Sequence, residues 1–124
     1  MNLFESSEDY LERILMLQIK NGDVRSIDIA NSMGFSKPSV SVAMKKLKNL
    51  GLITINKEGI INFTEEGHKQ AYRVFERHTV IAKFFIGLGV SKENALADAC
   101  KMEHDLSEES YETLKKFAQD HNFL

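Results

Sequence analysis

Tryptophan is absent from this 124-residue chain, and proline and cysteine occur once each, as Pro38 and Cys100. A lone cysteine closes no internal disulfide, so the expected compartment is the reducing cytoplasm. Long apolar runs are also missing. The longest, Val80 to Val90, is broken by Lys83 and is too short to span a bilayer, so no membrane partner is expected. The N-terminus shows no basic start followed by an apolar stretch and a cleavage site, which argues against a secretory signal. Net charge is only −2, too little for a chain that coats nucleic acid along its length. No phosphate-binding glycine loop or nucleophile motif is present, which argues against an enzyme.

What is present is unevenly spread. From Ser36 to Lys57 there are five lysines and no acids, whereas from Glu65 onward 11 acids face 8 bases. A basic first half and an acidic second half suggest a division of labour. The apolar spacing predicts a mainly α protein with one small β-hairpin. Ser6 or Ser7 caps a first helix carrying Tyr10, Ile14 and Leu17, and Gly22 ends it. A short helix covers Ser26 to Met33, and Gly34 permits a sharp turn. Ser36 caps a third helix, with Pro38 tolerated in its first turn and Gly51 as its stop. Leu52–Asn56 and Ile60–Phe63 form the hairpin around Lys57-Glu58-Gly59. Thr64 caps a long helix to about Ile86. Ser91 starts another, to about Asp105, and Ser107 a last one with Tyr111, Leu114, Ala118 and His121 on one side.

Helix, helix, turn, helix, hairpin is the order of a winged helix-turn-helix. The expected organisation is a winged DNA-binding domain over residues 1–64 and an α-helical metal-binding and dimerisation domain over 65–124. Small polar side chains at the start of the third helix let backbone approach the major groove. Ser36, Ser39 and Ser41 can reach phosphates or base edges, and the helix N-terminus favours a phosphate. Lys37, Lys45, Lys46 and the wing residue Lys57 would neutralise phosphates and make binding salt-dependent. Arg25 and Pro38 complete the expected DNA-contacting set. The competing reading is a winged helix that packs in a protein assembly, with its lysines merely solvated.

A second set of residues has metal-ligand chemistry. Asp9 and Glu12 stand at i and i+3 in the first helix, and Cys100, Glu103 and His104 at i, i+3 and i+4 in the fifth. Each spacing puts its members on one helical face. His78 lies in a stripe with Ala71, Phe75, Ala82 and Phe85. Carboxylate, imidazole and thiolate together hold divalent transition metals. Taken singly, Asp9 and Glu12 also read as a solvated helix start, His78 as a core histidine, and Cys100 as a small buried apolar residue.

Read together, these segments resemble the diphtheria toxin repressor and manganese transport regulator family of metal-dependent repressors. The resemblance runs through Glu8-Asp9-Tyr10-Leu11-Glu12, Asp28-Ile29-Ala30, Ser36-Lys37-Pro38-Ser39-Val40-Ser41, Leu50-Gly51-Leu52-Ile53 and Thr64-Glu65-Glu66-Gly67. Arg77-His78 and Asp98-Ala99-Cys100-Lys101-Met102-Glu103-His104 complete it. It implies that Asp9, Glu12, His78, Cys100, Glu103 and His104 are metal ligands. Asp9 and Glu12 are similar to the manganese branch and Cys100 to the iron branch. Ala82 and Leu96 stand where the iron branch has further ligands. The two-domain form without an SH3-like domain is expected.

The implied function is a repressor of metal-uptake genes, activated by Fe2+ or Mn2+ to bind a palindromic operator as a homodimer. Thiolate and carboxylate together put Fe2+ ahead of Mn2+, with Zn2+ or Co2+ able to bind in vitro. The dimer is expected from the aromatic load of the long helix, Tyr72, Phe75, Phe84 and Phe85. The alternative is a metal-independent winged-helix regulator that senses a small molecule or a partner.

Overall fold

A computed structural model describes the chain from Leu3 to Leu124, and its side chains from Ser6 onward. Among the described residues there are six helices and one antiparallel hairpin: α1 (Leu3–Asn21), α2 (Ser26–Met33), α3 (Lys37–Asn49), β1 (Ile53–Ile55), β2 (Ile61–Phe63), α4 (Glu65–Gly87), α5 (Lys92–Met102) and α6 (Glu108–Asp120). The chain divides into two compact units, Met1–Tyr72 and Arg73–Leu124. No described helix is long and apolar enough to cross a membrane.

In the first unit, Leu11, Ile14 and Leu15 of α1 are buried with Ile29 and Ala30 of α2 and Val40, Met44 and Leu47 of α3. These spacings are the 3.6-residue period of helices covering a common core. α1 begins before Ser6 and Ser7, which therefore lie inside the helix rather than capping it. The backbone N–H of Arg25 donates to the Asp28 carboxylate (2.9 Å), fixing the start of α2. Gly34 ends that helix in the left-handed region (φ 72°), its N–H returned to the Ala30 carbonyl.

The wing is built by short-range hydrogen bonds. Ile53 pairs with Phe63, Thr54 with Asn62 and Ile55 with Ile61. The Asn56 side-chain oxygen accepts the N–H groups of Glu58 (3.0 Å) and Ile60 (2.9 Å), closing the turn. Val24 adds an antiparallel bridge to Ile61, so the segment before α2 joins the sheet edge. At the wing base, the Thr64 hydroxyl donates to the Gly51 carbonyl (2.6 Å) and accepts the Gly67 N–H (3.1 Å). Gly67 packs so closely that an added Cβ would lie 1.8 Å from the Leu52 carbonyl oxygen.

In the second unit, Val80, Ile81 and Ala82 of α4 pack with Ala99 of α5 and Tyr111 of α6, flanked by Phe85, Met102, Leu106 and Leu114. Ser91 and Ser107 cap α5 and α6, each accepting a backbone N–H three residues on. The Phe123 ring sits against Gly87, where a Cβ would meet it at 2.4 Å. α5 ends at Met102, three residues short of the expected Asp105, and residues 103–106 form a turn in which the Leu106 N–H still returns to the Met102 carbonyl (3.0 Å). His121 is exposed and stacks on Phe117 (3.9 Å between ring centroids), so it is not on the buried side of α6 with Tyr111 and Ala118.

Candidate metal centre and nucleic-acid interface

The first element of function is the surface of α3. Ser36 caps it: its Oγ accepts the Ser39 N–H (3.3 Å) and lies 2.8 Å from the Ser39 hydroxyl. Pro38 occupies the first turn, where a missing N–H costs nothing. Because Val40, Met44 and Leu47 take the inward stripe, Lys37, Ser39, Ser41, Lys45 and Lys46 are all exposed. Between α3 and the wing runs a groove lined by Ser26, Ser41, Lys45, Lys48, Asn49 and Asn56. Lys57 is exposed in the wing turn. Arg25 does more than offer charge: its Nε donates to the Glu58 carbonyl (3.0 Å), tying the start of α2 to the wing turn. Hydroxyl donors, cations and a helix N-terminus on one exposed surface are what a DNA duplex requires.

The second element is a buried carboxylate. Glu103, the residue just after α5, is 1% exposed. Its Oε2 lies 3.1 Å from His78 Nδ1, and its Oε1 lies 3.4 Å from His104 Nε2 without a hydrogen-bond partner. Burying an ionised carboxylate in this way costs several kcal/mol unless a cation compensates it. The nearest buried cation does not serve its oxygens. Arg77 donates through Nη1 to the carbonyls of Glu103 (3.0 Å) and Leu106 (2.9 Å), and through Nη2 to Glu108 (2.9 Å). Its guanidinium lies 4.9 Å above the Tyr111 ring. An under-satisfied buried carboxylate facing two imidazoles is a donor set able to hold a divalent transition metal.

Tyr111 supports the same region. Its hydroxyl donates to Glu76 (3.2 Å), which also takes Lys115. Burial, and then the neighbouring Glu76 charge, push the Tyr111 phenol well above its ordinary value.

Of the six residues expected to bind metal, the second unit brings His78, Glu103 and His104 together. Cys100 is exposed on α5, so it is not the small core residue that its composition alone allowed. Asp9 is half-buried and Glu12 buried, both on α1 in the first unit. Of the aromatic residues expected to drive pairing, Phe75, Phe84 and Phe85 are half-buried and Tyr72 is exposed. Sequence reasoning gave no role to Arg77 or Asn56. The signal for Arg77 is an arginine in register with the buried Val74 and Ile81. That for Asn56 is an Asx residue opening a glycine-containing turn.

A wing beside a polar recognition helix, and a separate helical unit with a buried imidazole–carboxylate cluster, define a metal-responsive transcriptional regulator. Residues 2–60 match the iron dependent repressor N-terminal DNA binding domain, and residues 64–123 match the iron dependent repressor metal binding and dimerisation domain. The transcriptional regulator MntR of Salmonella typhimurium is 38% identical over 117 residues, covering 94% of this chain and 74% of the relative. An uncharacterised HTH-type transcriptional regulator of Methanocaldococcus jannaschii is 34% identical over 117 residues, covering 93% of this chain and 94% of that protein. Among solved structures, the manganese regulator SloR superposes with a TM-score of 0.78 at 29% identity, over 91% of this chain and 53% of that one. The metal-dependent transcriptional regulator MtsR gives 0.83 at 25% identity, over 91% and 53%. The chain thus spans about half the length of these solved structures. It belongs to the iron dependent repressor family, which includes the MntR regulators. The family consists of transcriptional regulators, not enzymes.

Proposed function

We propose that this protein is a metal-activated repressor of metal-uptake genes that binds a palindromic operator as a homodimer. The observation that carries the reading is Glu103, a buried carboxylate facing two imidazoles with one oxygen lacking a hydrogen bond. Family membership supplies the regulatory context. His78, Glu103 and His104 would hold the ion, joined by Cys100 one helical turn before Glu103 and by Asp9 and Glu12 of α1. When bound, a divalent cation supplies the positive charge that offsets these carboxylates.

Were Asp9 and Glu12 to join the ion, its binding would constrain the DNA-reading unit. Metal then favours the DNA-competent arrangement in proportion to its differential affinity for it, and DNA tightens metal binding by the same factor. Mn2+ and Fe2+ are the proposed ions. The imidazole and carboxylate donors around Glu103 suit both, and the similarity to a manganese regulator moves Mn2+ ahead of Fe2+ in our reading. In the second unit, Phe84, Leu88, Leu114 and Phe117, with Glu109, Ser110 and Thr113, line a cleft of about 510 Å3, and in our reading its apolar side chains are where two copies pair.

The test is a titration of Mn2+ or Fe2+ into protein and operator DNA, followed by chelator. The expected result is DNA affinity that rises with metal and falls on chelation. Affinity unchanged across the titration would reject the switch and favour a metal-independent regulator. Sedimentation of a monomer at micromolar concentration would reject the dimer.

A further inference from the structure

We infer that Arg77 is a positioning residue of the metal centre: it holds the main chain that presents Glu103 and His104, and so sets the site's affinity without touching the ion. The inference rests on the proposed function and assigns a role that no ligand motif describes.

Adjacent residues of α4 grip the two ends of one residue. His78 faces the Glu103 carboxylate, and Arg77 binds the Glu103 carbonyl. The same Nη1 also takes the Leu106 carbonyl, so a single guanidinium nitrogen spans the turn from 103 to 106. This turn is the C-terminal end of α5: Glu103 still has helical angles (φ −58°, ψ −27°) and returns its N–H to the Ala99 carbonyl. Without Arg77, the Glu103 and Leu106 carbonyls would lose this donor and the turn between α5 and α6 would lose its side-chain anchor. A loosened turn would hold the Glu103 and His104 side chains less firmly against His78.

The group is fixed on its other sides as well. Arg77 is 5% exposed, lies over the Tyr111 ring and pairs with Glu108 at the start of α6. A planar fork suits this geometry, whereas a lysine places one compact ammonium and cannot reproduce the same spread of bonds. Residues that orient metal ligands without binding metal change affinity by roughly 10- to 100-fold when removed.

The experiment measures Mn2+ affinity of the full chain by EPR of the free ion, alongside thermal unfolding of the metal-free protein. Arg77→Met is expected to weaken Mn2+ binding by about 10- to 100-fold, and Arg77→Lys by less. Glu108→Gln removes only the partner that is largely exposed, and should leave affinity within about two-fold. Tyr111→Phe is the control for general stability. It should lower the unfolding temperature and leave Mn2+ affinity unchanged.

Wild-type affinity in Arg77→Met would overturn the inference. So would affinity losses that simply follow unfolding temperature across Arg77→Met, Arg77→Lys and Tyr111→Phe. If Arg77→Met does not fold, Arg77→Lys decides: reduced affinity at a Tyr111→Phe-like unfolding temperature supports the role, and wild-type affinity rejects it. A wild-type chain that binds no Mn2+ would remove the proposed function and this inference together. Normal wild-type binding with unaffected Arg77 variants removes the inference alone.

Discussion

The α3 surface and the Glu103 cluster place their functional side chains on opposite sides of the solvent boundary. On α3 the cations and hydroxyls are exposed, and the buried residues serve only to hold the helix in place. In the second unit the chemistry itself is buried: Glu103 is 1% exposed and Arg77 5%. The two regions should therefore respond differently to substitution. Exposed cations act through a screened field, contribute in small additive steps and tolerate exchange. A buried carboxylate and the groups around it act as a unit, where the loss of one leaves the others uncompensated.

Gly67→Ala separates the regions most severely. Its new Cβ would collide with the Leu52 carbonyl at the wing base. A backbone atom cannot step aside as a side chain can, so a loss of about 3 kcal/mol is expected. Hydrogen exchange should show protection falling in the wing and α3 while the amides of α5 and α6 keep theirs. Uniform loss across both units would mean that they unfold as one.

Glu103→Gln should come next, lowering Mn2+ affinity by about 100-fold or more, because it removes a proposed ligand rather than a supporting group. The metal-free variant should unfold at no lower temperature than the native protein, since a buried charge is replaced by a neutral isostere. A large drop in that temperature would mean that Glu103 serves the fold rather than the metal.

Tyr111→Phe is smaller, costing about 1 kcal/mol at neutral pH through the lost bond to Glu76. Its pH dependence is more telling. The folded phenol is raised above the ordinary value of 10.0, so its contribution is complete below pH 10 and is lost as pH rises through the folded value. Denaturant titrations should show the native protein losing stability over that alkaline range and the variant lacking that part of the loss.

Lys45→Ala and Lys48→Ala should have the smallest effects. Each is expected to reduce the slope of log affinity against log salt by about 1, with a similar effect on every DNA sequence. A sequence-dependent change would mean that the lysine reads bases.

How much of this was legible beforehand follows from the range of the interactions. The boundaries of α2 and α3 depend on Gly34, Ser36 and Gly51, all local, and the sequence reading placed them well. Six helices and the hairpin were likewise readable from apolar period and caps. The start of α1 was missed because two adjacent serines look like a cap even when the helix runs through them. The end of α5 was missed for a longer-range reason: nothing near Glu103 breaks a helix, and the turn is held by an arginine 26 residues earlier. The imidazole–carboxylate cluster was suggested by spacing within α5, but its burial depends on packing between α4 and α5. Arg25 is a mixed case. It belongs to the expected DNA-contacting set, and its side chain is also bonded to the wing turn.

Arg77 grips carbonyl groups, which every amino acid carries, rather than the side chains of residues 103 and 106. The anchorage is therefore indifferent to what those side chains are. Under the proposed function, exchanging a donor at 100, 103 or 104 would alter which ion is preferred while the frame presenting the donors persists. A metal sensor built this way would be open to retuning from one ion to another by single substitutions, with its architecture left standing.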